Sequence, residues 1–142
     1  MYSKILVPVD LAETEMTALA LETAEQAMKQ DSLATLRLLN IQPLMPMALL
    51  DYIPPNFDSE LRENAEKELA DIAGKLEVSR ERVSTRVRFG AVYPEVLAEA
   101  EDWKANLIIV GSHRPTMATY LLGSNANTIV RHAKCSVLVA RK

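Results

Sequence analysis

The sequence has few cysteine, glycine and aromatic residues and no long hydrophobic run. Its single cysteine, Cys135, cannot form an internal disulfide, which favours a reduced, intracellular compartment. No segment approaches the roughly 18 apolar residues that a membrane-spanning helix needs, so we expect a soluble, cytoplasmic protein that does not bind a membrane. Aromatic residues make up only 5 %, which disfavours a surface that stacks nucleic-acid bases on aromatic rings.

The net charge is small and negative, but its distribution along the chain is uneven. Sixteen Lys and Arg against nineteen Asp and Glu leave −3, so we expect no nucleic-acid partner. After Asp102 there is no acid, and six basic residues make the last forty residues +6, whereas ten basic and nineteen acidic residues make the first 102 residues −9. We expect the basic segment to provide a positive field for a small anion.

Apolar runs and amphipathic segments alternate along the chain. Strand patterns cover residues 4–10, 34–41, 83–89, 107–110 and 136–140, and helix patterns cover 13–30, 58–76, a segment that opens near 94, and 124–133. This order predicts one α/β domain over residues 1–142, a doubly wound, Rossmann-like open sheet of five parallel strands with helices on both faces. Ligands bind such sheets beyond the carboxyl ends of the strands.

A long connection between residues 42 and 57 interrupts this regular spacing. It contains four prolines and, between them, several methionine, leucine and aromatic side chains. Long connections in compact domains are usually functional or disordered, and this one is too apolar for ordinary disorder. It is either a lid or partner-binding loop, or a loop that folds down on its own domain.

The segment after the fourth predicted strand carries the clearest chemical signal. Gly111 ends the strand, and Gly123 and Ser124 open the next helix, where backbone amides and a partial positive charge favour phosphate. The same residues also fit a simple turn with a helix cap. Asp10, at the end of the first strand, would face the same crevice and could bind ribose hydroxyls or a divalent cation, or else cap the first helix.

Several segments together resemble the universal stress protein family over essentially the whole chain. They are residues 5–10, Phe89-Gly90, residues 109–113, residues 122–124 and residues 130–133. The run from Ser112 to Val139 looks especially like the F/G-type bacterial members, which are associated with ATP. The resemblance implies strand order 3-2-1-4-5, a stress-response role, ATP as the ligand, with or without Mg²⁺, and a homodimer paired through the last strand or a heterodimer with a related stress protein.

The family's nucleotide motif is Gly, two residues, Gly, nine residues, and Gly followed by Ser or Thr. Arg114 stands in place of the second glycine, and the following interval is one residue short. The resemblance implies that the ribose and adenine side is bound by Pro8, Val9, Asp10 and Ile41, and that ribose and phosphates are bound by Gly111, Ser112, Gly123, Ser124 and Asn125. From their own chemistry we add Arg114, a paired donor for phosphate, and His113, which either contacts phosphate or is an exposed loop residue.

Two functions remain open: an ATP-binding module in which the nucleotide is a switch or ligand, and a slow ATP hydrolase or phosphotransfer enzyme. No Walker-type Gly-Lys-Ser/Thr loop is present and no acid or base is evident beyond Asp10, so we expect slow hydrolysis at most. A receiver domain is disfavoured because the third strand ends in Phe89-Gly90 rather than in an aspartate. A flavodoxin-like phosphate loop is disfavoured because residues 10–13 are acidic.

Overall fold

The structure is a computed structural model that describes residues 2–12, 14–44, 46–111 and 124–141. The strands are β1 (Lys4–Pro8), β2 (Thr35–Gln42), β3 (Val83–Phe89), β4 (Leu107–Gly111) and β5 (Ser136–Ala140). The helices are α1 (Thr14–Gln30), α2 (Phe57–Lys75), α3 (Val92–Trp103) and α4 (Ser124–His132), with short 3-10 helices at Met47–Tyr52 and Arg80–Arg82. In the part of the chain that is described, no helix is both long and apolar enough to cross a membrane.

All five strands form one parallel sheet in the order β3-β2-β1-β4-β5. This confirms the predicted fold class and strand order. Successive side chains of a strand point to opposite faces, so the sheet has two cores. Ile5 and Val7 of β1 belong to the core under α1 and α2, whereas Leu6 belongs to the core under α3 and α4. The central strand is therefore buried on both faces, as its continuous apolar run predicts.

The first strand is shorter than predicted. β1 ends at Pro8, two residues before the predicted end at Asp10. Val9 still donates its amide proton to the Leu39 carbonyl oxygen at 2.7 Å, but the backbone of Asp10 turns away and pairs with the side chain of Thr17. The strand ends early because a tertiary side-chain contact replaces the next rung of the ladder.

The long connection after β2 does not fold down on the domain. Its 3-10 helix, Met47–Tyr52, has no buried residue, and Leu44, Met47 and Tyr52 are largely exposed. The interpretation that this loop packs on its own domain is therefore wrong for its described residues. At the far side of the sheet, β3 is an edge strand, as its alternation of apolar and charged residues predicts.

Candidate functional site

A cleft opens at the carboxyl edge of the sheet between β1 and β4. Here the strand order reverses, because β2 leaves β1 on one side and β4 lies on the other. The cleft has a volume of about 260 Å³, which is close to the lower limit of about 300 Å³ for small-molecule pockets. Its position is the one at which open α/β sheets bind ligands.

Six of the residues predicted from sequence meet in this cleft. They are Pro8, Val9, Asp10, Ile41, Gly111 and Asn125. Ser124 is the first residue of α4. The other predicted residues, Ser112, His113, Arg114 and Gly123, lie outside the described part of the chain. The structure thus brings together the ends of β1, β2 and β4 and the first turn of α4, although Pro8 and Asn125 are 117 residues apart in sequence.

Asp10 is the only charged residue in the described lining of the cleft. Its Oδ1 accepts a hydrogen bond from the Ala12 amide at 2.9 Å, which forms a turn ahead of α1. The interpretation of Asp10 as a cap of the first helix is therefore wrong, since its side chain pairs with an amide that precedes the helix. Within residues 2–12, 14–44, 46–111 and 124–141, no hydrogen bond to Oδ2 is found.

Asn40 is a buried polar residue at the floor of the cleft. Its Nδ2 donates a hydrogen bond to the Val9 carbonyl oxygen at 2.9 Å, and its Oδ1 accepts one from Gln42 Nε2 at 2.6 Å. A side-chain amide offers two donor protons and two acceptor sites, so one of each remains unused by the described contacts. Asn40 therefore both supports β1 and presents polar groups at the base of the cleft.

Most of the remaining wall is apolar. The lining residues that the sequence analysis did not single out are Thr17, Leu39, Asn40, Val92, Val110, Ala126 and Ile129. Two sequence signals point to the polar members of this set: Asn40 interrupts an apolar strand run near its end, and Thr17 follows Asp10 by two helical turns. The apolar members look like ordinary core residues, and only the packing of α3 and α4 on the sheet places them here.

Two basic residues of the C-terminal segment, Lys104 and Lys134, lie at the opposite edge of the sheet. Lys104, His132 and Lys134 line a second pocket of about 160 Å³ that precedes β4 and β5, and Lys134 Nζ lies 2.7 Å from Glu101 Oε1. The expectation that the whole segment provides a positive field at the site is therefore wrong for these residues. The Cys135 thiol lies in the same pocket, where burial raises its pKa.

Comparison with known proteins identifies the family. The sequence model described as "Universal stress protein family" matches residues 1–141. The chain belongs to the universal stress protein family. Universal stress protein G of Salmonella typhimurium is 35 % identical over 144 residues, which cover 99 % of this chain and 100 % of that protein. This similarity bears out the resemblance to F/G-type members of the universal stress protein family.

Solved structures agree on the fold. The structure of MJ0577, a universal stress protein of Methanocaldococcus jannaschii, superposes with a TM-score of 0.80 at 26 % identity and covers 100 % of this chain and 97 % of that chain. A universal stress protein in complex with cAMP superposes with a TM-score of 0.70 at 21 % identity, over 98 % of this chain and 97 % of its own. One from Arabidopsis thaliana with AMP bound has a TM-score of 0.65 at 18 % identity, over 99 % of this chain and 91 % of its own. At such identities these two structures show the shared fold.

Proposed function

We propose that this universal stress protein is an ATP-binding module whose nucleotide acts as a ligand or switch in the stress response. The observation that carries the proposal is the cleft at the reversal of strand order, in which Asp10, Ile41, Gly111 and Asn125 converge from four different elements. Solved proteins of the same fold hold cAMP or AMP, and both ligands consist of adenosine and one phosphate. The nucleoside half of an adenine nucleotide is therefore the part that the described cleft best accommodates.

The lining of the cleft matches the chemistry of a nucleoside. Ile41, Val92 and Ala126 provide apolar surface for the flat faces of a base. Asp10 presents an oxygen that can accept hydrogen bonds from ribose hydroxyls, which is the usual role of a carboxylate at the strand ends of dinucleotide-binding folds. The cleft therefore offers an apolar part for a base and a polar part for the sugar joined to it.

The phosphates are expected to extend towards the start of α4. Asn125, in its first turn, lines the cleft, and helix N-termini favour anions. Because the described lining contains no cationic side chain, we propose that Arg114 supplies the charge that binds the outer phosphates, with Ser112, His113, Gly123 and Ser124 around them. Arg114 and His113 are assigned from their own chemistry, and Ser112, Gly123 and Ser124 from the resemblance to the family motif.

The residues present fit a magnesium ion that arrives with ATP. Mg²⁺ keeps several water ligands and is typically held by one or two carboxylates together with phosphate oxygens. Asp10 contributes one carboxylate to the described lining. Among the described residues there is no group of three or more His, Cys, Asp or Glu that could form a metal site without a nucleotide. Because the same carboxylate is assigned to the ribose hydroxyls, we propose that Asp10 would hold Mg²⁺ only through a water ligand of the ion, which would offset phosphate charge.

Slow ATP hydrolysis is the second candidate function, and the Asp10 carboxylate in the cleft lining is the observation that favours it. A single carboxylate can orient a water molecule, but fast phosphoryl transfer also needs positioned cations around the transferred group. Phosphate release at saturating ATP separates the two functions. Many turnovers per minute would contradict the binding module, whereas release at or below about one per hour would support it.

Nucleotide binding is tested by identifying the nucleotide that co-purifies and by calorimetric titration with ATP, AMP and GTP. The matched variants are Val92→Trp, which places a large ring in the cleft, and Tyr93→Trp beside it. Val92 lines the cleft and is 39 % exposed, whereas Tyr93 is 41 % exposed and is not part of the lining. We expect Val92→Trp to weaken ATP binding at least tenfold and Tyr93→Trp to leave it unchanged. Absence of binding at millimolar ATP, or equal effects of the two variants, would refute the site.

We also propose that the protein forms a homodimer through β5. This edge strand, Ser-Val-Leu-Val-Ala, carries no charged residue, whereas the opposite edge strand, β3, carries Arg86 and Arg88. Charged side chains normally protect an edge from pairing, so β5 is the unprotected edge. Antiparallel pairing of β5 with its own copy over its full length places the exposed Leu138 opposite itself. The same edge suits the corresponding strand of a related stress protein.

Light scattering after size-exclusion chromatography tests this dimer. Leu138→Glu places two like charges face to face and is expected to give a monomer, because like charges directly opposite each other destabilise strand pairing. Thr85→Glu, on β3, is the control and should remain dimeric. A monomeric wild-type protein would refute the dimer.

A cytoplasmic location, which we also propose from the lone cysteine, is tested by cell fractionation.

A further inference from the structure

Beyond the Val9 amide, which still donates to the Leu39 carbonyl oxygen, the backbone after β1 is held by side chains. Ladder pairing of β1 with β2 ends at Pro8 opposite Leu39. Beyond it, the Val9 carbonyl accepts from Asn40 Nδ2 at 2.9 Å. The amide of Asp10 donates to Thr17 Oγ1 at 3.2 Å, and the same hydroxyl donates to the Asp10 carbonyl oxygen at 3.3 Å.

Both side chains that hold this segment are buried. Thr17 and Asn40 are two of the three buried polar or charged residues in the described chain, and the third, Glu99, is elsewhere. A buried hydroxyl or amide is costly unless it is hydrogen-bonded. The Thr17 hydroxyl accepts a hydrogen bond from the Asp10 amide and donates one to the Asp10 carbonyl oxygen. It therefore fixes both peptide groups that flank the Asp10 side chain. The position of the Asp10 carboxylate is therefore tied to α1.

We propose that Thr17 is a positioning residue that holds Asp10 where it binds the ribose hydroxyls of the nucleotide, with Asn40 supporting the preceding peptide. This inference rests on the proposed function, since it assigns how one group of that same site is placed. Asp10 Oδ1 is already engaged with the Ala12 amide, so Oδ2 is the atom that Thr17 would keep available. Without the Thr17 hydroxyl, Asp10 loses two of the three hydrogen bonds that it makes with the described residues.

The test compares AMP with 2′,3′-dideoxy-AMP, which lacks the hydroxyls that Asp10 would bind. The variants are Thr17→Val, which keeps the shape and removes the hydroxyl, and Thr17→Ser, which keeps the hydroxyl. Thr23→Val is the control on the same helix, because the Thr23 hydroxyl donates to the Leu19 carbonyl within α1. Calorimetry gives the ratio of the two affinities for each protein.

We expect Thr17→Val to reduce the preference for AMP over the dideoxy analogue by about tenfold, the size of effect that loss of a hydrogen bond to a charged group produces. Thr17→Ser and Thr23→Val should keep the wild-type ratio. Asp10→Asn should lower the ratio as well, and the double variant with Thr17→Val should be no worse than the stronger single variant, since Thr17 acts through Asp10. Additive losses, or a lower melting temperature with an unchanged ratio, would overturn the proposal.

Hydrogen exchange of the Asp10 amide provides a reading that needs no nucleotide. In Thr17→Val this amide should exchange at least about tenfold faster, while the amides of Ile5 and Leu6 in β1 keep their wild-type rates. An unchanged rate would refute the contact. If the wild type binds neither AMP nor ATP at millimolar concentration, the proposed function and the ribose role fail together, whereas exchange still decides whether Thr17 holds Asp10.

Discussion

Replacement of Glu99 by glutamine should destabilise the protein, because this carboxylate joins α3 to two strands from a buried position. Glu99 Oε2 lies 2.8 Å from Arg37 Nη1 on β2, and Oε1 lies 2.9 Å from Arg88 Nη1 on β3. The Glu99 side chain is only 3 % exposed, and those of Arg37 and Arg88 are 23 % and 19 % exposed. Burial opposes the charge of Arg88, but hydrogen bonds with Glu99, Glu95 and Asp102 outweigh it and raise the pKa of this guanidinium.

The expected loss follows from the charges left behind. Removal of one member of a buried ion pair typically costs about 3–5 kcal/mol, because the partner stays buried without its countercharge. Glutamine keeps one acceptor oxygen, and Arg88 keeps Glu95 and Asp102 as partners, so we expect the lower limit, about 3 kcal/mol. For a domain of this size 1 kcal/mol corresponds to about 3 °C, and the melting temperature should fall by roughly 9 °C.

Chemical denaturation monitored by circular dichroism measures this loss. Glu101→Gln is the matched control on the same helix, since Glu101 and its partner Lys134 are both mostly exposed. Exposed ion pairs contribute about 0–1 kcal/mol, so the control should stay within 1 kcal/mol of the wild type. If Glu99→Gln also stays within about 1 kcal/mol, the reasoning that Arg37 and Arg88 depend on a buried carboxylate is refuted.

Three further predictions concern single residues. Gly90→Ala should destabilise the protein by about 1–3 kcal/mol, because φ is +146° there and a Cβ would lie 2.8 Å from Glu95 Cγ. Gly74→Ala, in α2 with open space around it, should stabilise the protein by about 0.5–1 kcal/mol. Urea unfolding measures the free energy of unfolding of both variants, and a change of the same sign in the two would contradict the argument. Cys135 should react with iodoacetamide more slowly than glutathione at pH 8, since burial raises its pKa; an equal rate would count against this.

The strand and helix pattern was predictable from residue order because each element carries its own periodicity. The apolar run Leu107–Val110 forms the buried core of β4, and β5 covers the predicted residues, Ser136–Ala140. The end of β1 was not predictable in the same way. The Asp10 backbone beyond it pairs with Thr17, which comes from the next helix, and local periodicity contains no information about a side chain that reaches back across a turn.

The site was predictable only in part. Asp10, Ile41 and Gly111 were found because strand ends in a parallel sheet meet at one edge. Val92, Ala126 and Ile129 were missed because an apolar residue on an amphipathic helix has the same signature whether it faces the core or a cleft. Their role follows from how α3 and α4 pack on the sheet.

The basic C-terminal segment shows most clearly the difference between what the sequence determines and what the tertiary structure determines. The sequence by itself determined that the last forty residues carry +6, and also the order of elements and family membership. Only the tertiary structure decided that Lys104 and Lys134 lie at the amino edge of the sheet, whereas the cleft lies at the carboxyl edge. The physical reason is that a net charge counts every residue of a segment equally, whereas a bound ligand feels each charge according to its distance. Each crossover helix carries the chain from the carboxyl edge of the sheet back to the amino edge, so neighbours in sequence can lie at opposite edges.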